Sequence, residues 1–136
     1  MKREIKFRGK TSNLVKDGKG RVITEYESWV YGDLLHRPNG VLHILTLNEE
    51  KGVYENYVVN PDTIGQFIGL RDKNKKEIFE DDIVAWYDSD GNYRKDLVKW
   101  MNGGLCPCTL YTGWDYCEME VIGNIYDNPE LLKGDK

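Results

Sequence analysis

The chain has 136 residues, 40% hydrophobic and 31% charged, with a formal net charge of −4. That length suits about one domain with a real core, and the composition is that of a folded chain rather than a disordered one. An acidic balance disfavours nonspecific duplex binding, which relies on cations that neutralise phosphates.

No apolar run approaches the roughly 18 residues of a membrane span. The N-terminus, MKREIKFRGK, has charges but no apolar h-region. No membrane association is expected, and the bacterial cytoplasm is the expected compartment. Cys106, Cys108 and Cys117 are an odd count, which favours free thiols over a disulfide framework.

Strand signals dominate from the start. Ile5 and Phe7 alternate with Glu4, Lys6 and Arg8, the period-two pattern of a half-buried strand. Thr11 to Arg21 is polar and carries Asp17-Gly18 and Lys19-Gly20, so it reads as a loop or hairpin turn. Tyr26 to Tyr31 is aromatic-rich and β-prone, closed by Gly32-Asp33. Pro38-Asn39-Gly40 turns the chain into residues 41–47, VLHILTL, whose length and flanking turns favour a strand over a short helix. A turn at Asn48 to Gly52 leads to a weakly alternating run from Val53 to Val59.

Asn60-Pro61-Asp62 can start a single helical turn, because Pro at the first helical position loses no needed hydrogen bond. From Ile64 to Leu70 a strand fits best, with Gly65 and Gly69 marking a bulge or a close backbone approach. Asp72 to Lys75 is a tight turn. It is expected to pair Gln66–Leu70 antiparallel with Glu77–Asp81, with the Asp72 carboxylate capping the turn. Asp88 to Asn92 is a second turn and Asn102-Gly103-Gly104 a third. A last strand spans Glu118 to Tyr126, with Met119, Val121 and Ile125 on one face. Asp127-Asn128-Pro129-Glu130 opens a short terminal helix.

The fold class is therefore all-β, with one or two short helical turns. Residues 77–126 suit a small, strongly bent barrel of the SH3-like kind. The chain is taken as a single domain over 1–136, with a possible subdivision into 1–62 and a barrel-type part over 63–136.

Several blocks together carry a family resemblance. They are Arg3-Glu4-Ile5-Lys6-Phe7-Arg8, Trp29-Val30-Tyr31-Gly32, residues 63–70 (TIGQFIGL) with Asp72-Lys73-Asn74, residues 76–84, residues 120–126 (EVIGNIY) and Asn128-Pro129-Glu130-Leu131-Leu132. In that order the chain resembles the YopX protein family, found in phages and prophages of many bacteria. The resemblance implies a β-rich fold and a phage origin but no established activity. Three positions depart from the family pattern. Gly is common where Lys75 stands, so Asn74 is expected to supply the left-handed backbone there. Gly is also usual where Asp81 stands, and an aromatic-acidic pair is common at Gly9-Lys10.

The candidate chemistry is sparse. Glu77, Glu80, Asp81 and Asp82 could offer oxygen ligands to a divalent cation, but without the spacing of an EF-hand loop. Cys106, Cys108 and Cys117 with His36 or His43 could make a zinc site, although the spacing matches no common finger. Gly65 to Gly69 lacks the Lys-Ser/Thr of a phosphate-binding loop. No catalytic, cofactor-binding or metal residue is assigned, and no cofactor is expected.

Four Trp and nine Tyr suit cross-strand packing, a stacking platform for single-stranded nucleic acid, or an oligomer interface. Lys73, Lys75, Lys76, Arg94, Lys95 and Lys99 could form a basic rim. The expected function is a non-enzymatic binding or assembly module, its partner a second copy or a phage or host protein. A nucleic-acid-binding accessory protein and a metal-dependent enzyme are the alternatives.

Overall fold

A computed structural model describes residues 4–101, 104–106 and 118–132. Every ladder among the described residues is antiparallel, and the only helical segments among them are short 3-10 turns at Pro61–Thr63 and Pro129–Leu132. The chain divides into two compact units, one covering Ile5–Gln66 and the other running from Phe67 onward together with Glu4.

The first unit holds β1 (Phe7–Lys16), β2 (Val22–His36), β3 (Leu42–Asn48) and β4 (Val53–Val58), side by side in the order β4-β3-β2-β1. At the far side of β1, Phe7 and Arg8 pair with Gln66 and Gly65 at the start of β5 (Gly65–Arg71). The segment after β4 returns to β1. Asn60 N–H donates to the Lys10 carbonyl at 2.9 Å, and Thr11 Oγ1 donates to the Val58 carbonyl at 2.7 Å. Gly9 makes room for this return, since a Cβ there would stand 3.1 Å from Val59 Cβ.

Three sequence expectations fail here. Thr11 to Arg21 is not mostly loop: β1 runs to Lys16, and the turn occupies only the residues around Asp17 to Gly20. Polar side chains on both faces hid the strand, because period-two alternation is visible only where one face is buried. Ile5 is 62% exposed, while Arg8 is buried with its guanidinium carbon 4.6 Å from the Trp29 ring centroid. The cation takes the sheltered place because an aromatic face receives it. Nor does Gly32 end β2. It sits inside the strand where a Cβ would lie 2.0 Å from the Leu45 carbonyl oxygen, so only Gly allows β3 to pack there.

The second unit contains the rest of β5, then β6 (Glu77–Phe79), β7 (Asp82–Tyr87), β8 (Tyr93–Leu97), β9 (Lys99–Met101), β10 (Gly104–Cys106) and β11 (Glu120–Asn124). The expected hairpin across Asp72–Lys75 is present, with Phe67 opposite Phe79 and Arg71 opposite Glu77, but β6 ends at Phe79, short of the Asp81 to which the pairing was expected to reach. Five residues along β5 thus face three along β6, and Gly69, with φ 91°, lies in the bulge. The bulge lets adjacent Phe67 and Ile68 both be buried, against strict alternation.

A three-stranded sheet in the order β11-β7-β8 supplies the core. Ile68, Ile78, Val84, Val98, Met119 and Val121 are buried together, with Leu70 and Trp86 packed against them. A register shift between Val121 and Gly123 resets the last strand, so that Asn124 rather than Ile125 is buried. The barrel closure expected for 63–136 is not observed: among the described residues these strands make separate open ladders. Bulges in β5 and β11 and very short β6, β9 and β10 interrupt the continuous pairing that closure requires.

One turn design recurs four times among the described residues, after Asp17, Arg37, Asp72 and Asp88. In each, the first residue's N–H donates to the carbonyl four positions on, and its own carbonyl accepts from the third residue on. This is a type I turn followed by one left-handed residue. That residue is Gly20, Gly40 and Gly91 in three turns and Lys75, at φ 68°, in the fourth. Asn74 does not take the left-handed conformation. The geometry assigns it to the position three beyond the first turn residue, whatever stands there.

Candidate functional site

The three aspartate turns are capped in the same way. Asp17 Oδ1 accepts from Lys19 N and Arg21 N, at 2.8 and 3.0 Å, while Oδ2 accepts from Arg21 Nε at 2.8 Å. Asp88 repeats this with Asp90 N, Asn92 N and Arg94 Nε. Both carboxylates titrate below the ordinary aspartate range. For Asp17 the Arg21 N–H is the largest cause and the Lys19 N–H the next; for Asp88 the Asn92 N–H leads, followed by the Arg94 side chain. These turns make stiff hairpin tips.

The β1–β2 hairpin carries the first tip well beyond its neighbours. β3 pairs only with Asp33–His36 of β2, and β5 pairs only with Phe7 and Arg8 of β1. Residues 12–16 and 22–28 therefore form a two-stranded arm with no further ladder partner among the described residues. Adjacent residues of a strand point to opposite faces, yet Leu14 is 52% and Val15 40% exposed. Val22, Ile23 and Tyr26 are more than half exposed as well. Neither face of the arm is covered by the described residues.

An isolated two-stranded ribbon is marginal in water. Here its root is fastened by polar groups rather than by a core. Asn13 Nδ2 donates to Ser28 Oγ at 2.9 Å, and Lys10 Nζ stands 3.8 Å from Glu27 Oε1 and 5.3 Å from the Trp29 ring centroid. Ile44 and Val59 are the only buried apolar side chains described within Ile5–Gln66, so this unit buries little apolar surface of its own.

The acidic group seen in the sequence has structural duties. Asp82 Oδ2 accepts from Phe79 N at 2.8 Å, Asp81 Oδ2 from Tyr126 Oη at 2.5 Å, and Glu77 pairs with Arg71 at 3.5 Å. Glu80 lies with them in the β6–β7 turn, half-buried. Among the described residues no three His, Cys, Asp or Glu side chains come together in a way that could hold a metal ion. His43 Nδ1 meets Asn56 Oδ1, and His36 is exposed at the end of β2. Cys108 and Cys117 lie outside the described residues, as does the side chain of Cys106.

Within the basic rim, Lys73 pairs with Glu120 at 3.8 Å and Arg94 with Asp88. Tyr87 and Tyr93 face each other across β7 and β8, with ring centroids 5.2 Å apart and Tyr87 71% exposed. Sequence reasoning missed the arm. Its signal was Leu14-Val15 and Val22-Ile23 set symmetrically about Asp17-Gly18-Lys19-Gly20, a hairpin pattern masked by the polar residues around it.

No helix among the described residues is long and apolar enough to cross a membrane. Comparison with curated proteins finds no match. Among solved structures the chain is similar to protein EF1440 from Enterococcus faecalis, at 21% identity and a TM-score of 0.44, covering 97% of this chain and 100% of that one. The model of the YopX protein family matches residues 21–133, most of the chain, and the protein belongs to that family.

Proposed function

We propose that this protein is a non-enzymatic binding or assembly module of phage or prophage origin, acting in the bacterial cytoplasm through its β1–β2 arm. The observation that carries this reading is the arm itself, a capped hairpin with Leu14 and Val15 exposed on opposite faces. Exposed apolar surface on a two-stranded ribbon is what an interaction element offers, whereas catalysis needs convergent reactive groups. The short strands of residues 77–126 form, on this reading, an open SH3-like scaffold.

The test is an arm-shortened chain in which Asn-Gly replaces residues 13–26, compared with the full chain by size exclusion with light scattering. The full chain is expected to run above its 15.8 kDa monomer mass or to retain a phage or host protein. The shortened chain is expected to lose that behaviour while keeping its far-ultraviolet spectrum. Identical masses and identical partner recovery for the two chains overturn the reading.

A second reading rests on Tyr87 and Tyr93, whose exposed pair could stack unpaired bases. Asp88 and Asp90 at the same tip oppose it by repelling phosphates. Flat fluorescence-anisotropy titrations with single- and double-stranded oligonucleotides at low salt would remove it.

A further inference from the structure

The two edges of the arm are not equivalent. The β2 edge has an irregularity, since Val15 faces Thr24 but Lys16 faces Val22, and it carries Glu25 and Glu27. A bulge and charged side chains, lysine above all, are the usual devices that keep an edge from pairing. The β1 edge has no bulge, and Lys16 is its one charge from Ser12 onward. From Ser12 to Lys16 it reads Ser-Asn-Leu-Val-Lys, without a carboxylate, a proline or a bulge.

Backbone direction along this edge follows from Lys10. Its N–H donates outward to Thr63 Oγ1 at 2.9 Å, and its carbonyl accepts outward from Asn60 N at 2.9 Å. Polar groups of a strand alternate between its two sides. The N–H and C=O groups of Ser12, Leu14 and Lys16 therefore face away from β2, toward a side on which no strand pairs with them among the described residues; the end of β4 comes to this side only at Thr11, whose Oγ1 meets the Val58 carbonyl.

We infer that a second copy of this chain pairs along this edge, antiparallel, with the two-fold axis at Leu14. This deepens the assembly reading and rests on it. The register is the one that uses every outward group: Leu14 faces its own symmetry mate and Ser12 faces Lys16 of the second copy, each pair exchanging both N–H···O bonds. Sliding the strands by two residues toward the root would set Lys16 against Lys10, whose groups are already engaged. Charge agrees with this register. Glu27 is the β2 neighbour of Ser12, so Lys16 of each copy arrives on the face where Glu27 of the other stands half-exposed. Leu14 meets Leu14 at the centre, covering an apolar side chain that the single chain leaves exposed.

The experiment is sedimentation velocity over a micromolar concentration series, with circular dichroism as the check on folding. Leu14→Pro removes an outward N–H but no bond to β2, so the hairpin should survive while self-association weakens on the order of ten- to a hundred-fold. Glu25→Pro makes the same change on the β2 edge and should leave the dimer intact. Should Leu14→Pro unfold, Lys16→Glu serves in its place, with weakened association expected and unchanged association overturning the inference. A wild-type chain that stays monomeric throughout also overturns it, and leaves another protein as the arm's occupant. An oligomer indifferent to Leu14→Pro and Lys16→Glu overturns the edge assignment alone, because assembly would then use another face. Loss on Glu25→Pro only would move the contact to β2.

Discussion

The carboxylate of Asp72 accepts a hydrogen bond from the backbone N–H of Val121, 49 residues away in sequence, at 2.9 Å. Its other oxygen caps its own turn through Asn74 N and Lys76 N, at 2.8 and 2.9 Å. One buried side chain, 1% exposed, thus ties the β5–β6 hairpin to the last strand. Asp72→Ala would orphan these donors and is expected to destabilise the protein by about 2–4 kcal/mol. Urea unfolding measures it, and a loss below about 1 kcal/mol would contradict the role given to this bond.

Lys75 alone among the four matching turns places a side chain at the left-handed position. Lys75→Gly is expected to stabilise the protein by roughly 0.5–1 kcal/mol, the left-handed penalty less the added flexibility of the unfolded chain. Gly91→Ala, which imposes that penalty where none exists, should destabilise by a similar amount. Thermal melts of the pair test the assignment, and a destabilised Lys75→Gly would refute it.

Gly32→Ala is expected to be more damaging, by roughly 2–4 kcal/mol, because a Cβ would collide with the Leu45 carbonyl at 2.0 Å. Amide exchange should show the loss concentrated in β2 and β3. Uniform protection with an unchanged melt would mean that β3 can shift without penalty.

Asp17 and Asp88 titrate below the ordinary aspartate value because backbone N–H groups and an arginine favour their charged forms. A folded-state value below the unfolded one stabilises the turns at every pH above the unfolded value, roughly 3.9. That stabilisation disappears as pH falls through the folded-state values. The arm tip is therefore expected to loosen in acid, seen as faster amide exchange of residues 16–22. Asp17→Asn should flatten this dependence at its own tip and leave it at Asp88. An equally steep profile in that variant would point to other carboxylates.

The hairpin at Asp72 was legible in the sequence because turn chemistry is local: an aspartate, a polar pair and flanking β-branched residues suffice. So were the single helical turns, where Asn60 caps through Asp62 N as its position before Pro61 suggests. The pairing of Asp72 with Val121 was not legible, since nothing near either residue encodes a bond across 49 positions. The arm escaped for a different reason. Burial writes the period-two pattern, and a ribbon exposed on both faces has no buried face to write it. Ile5 and Arg8 reversed their expected places because hydropathy ranks a guanidinium as polar and cannot see Trp29 across the strand.

The recurrent turn also bears on how quickly the chain finds its structure. Each aspartate cap closes within four residues, so these hairpins can zip on the microsecond scale before distant segments meet. Within the second unit the slow event is then the arrival of β11 beside β7, a contact of high sequence separation. Stopped-flow kinetics should find that Gly91→Ala slows refolding, whereas Val121→Ala mainly accelerates unfolding. The last strand would act as the latch of the second unit, and its release as the first step in undoing it.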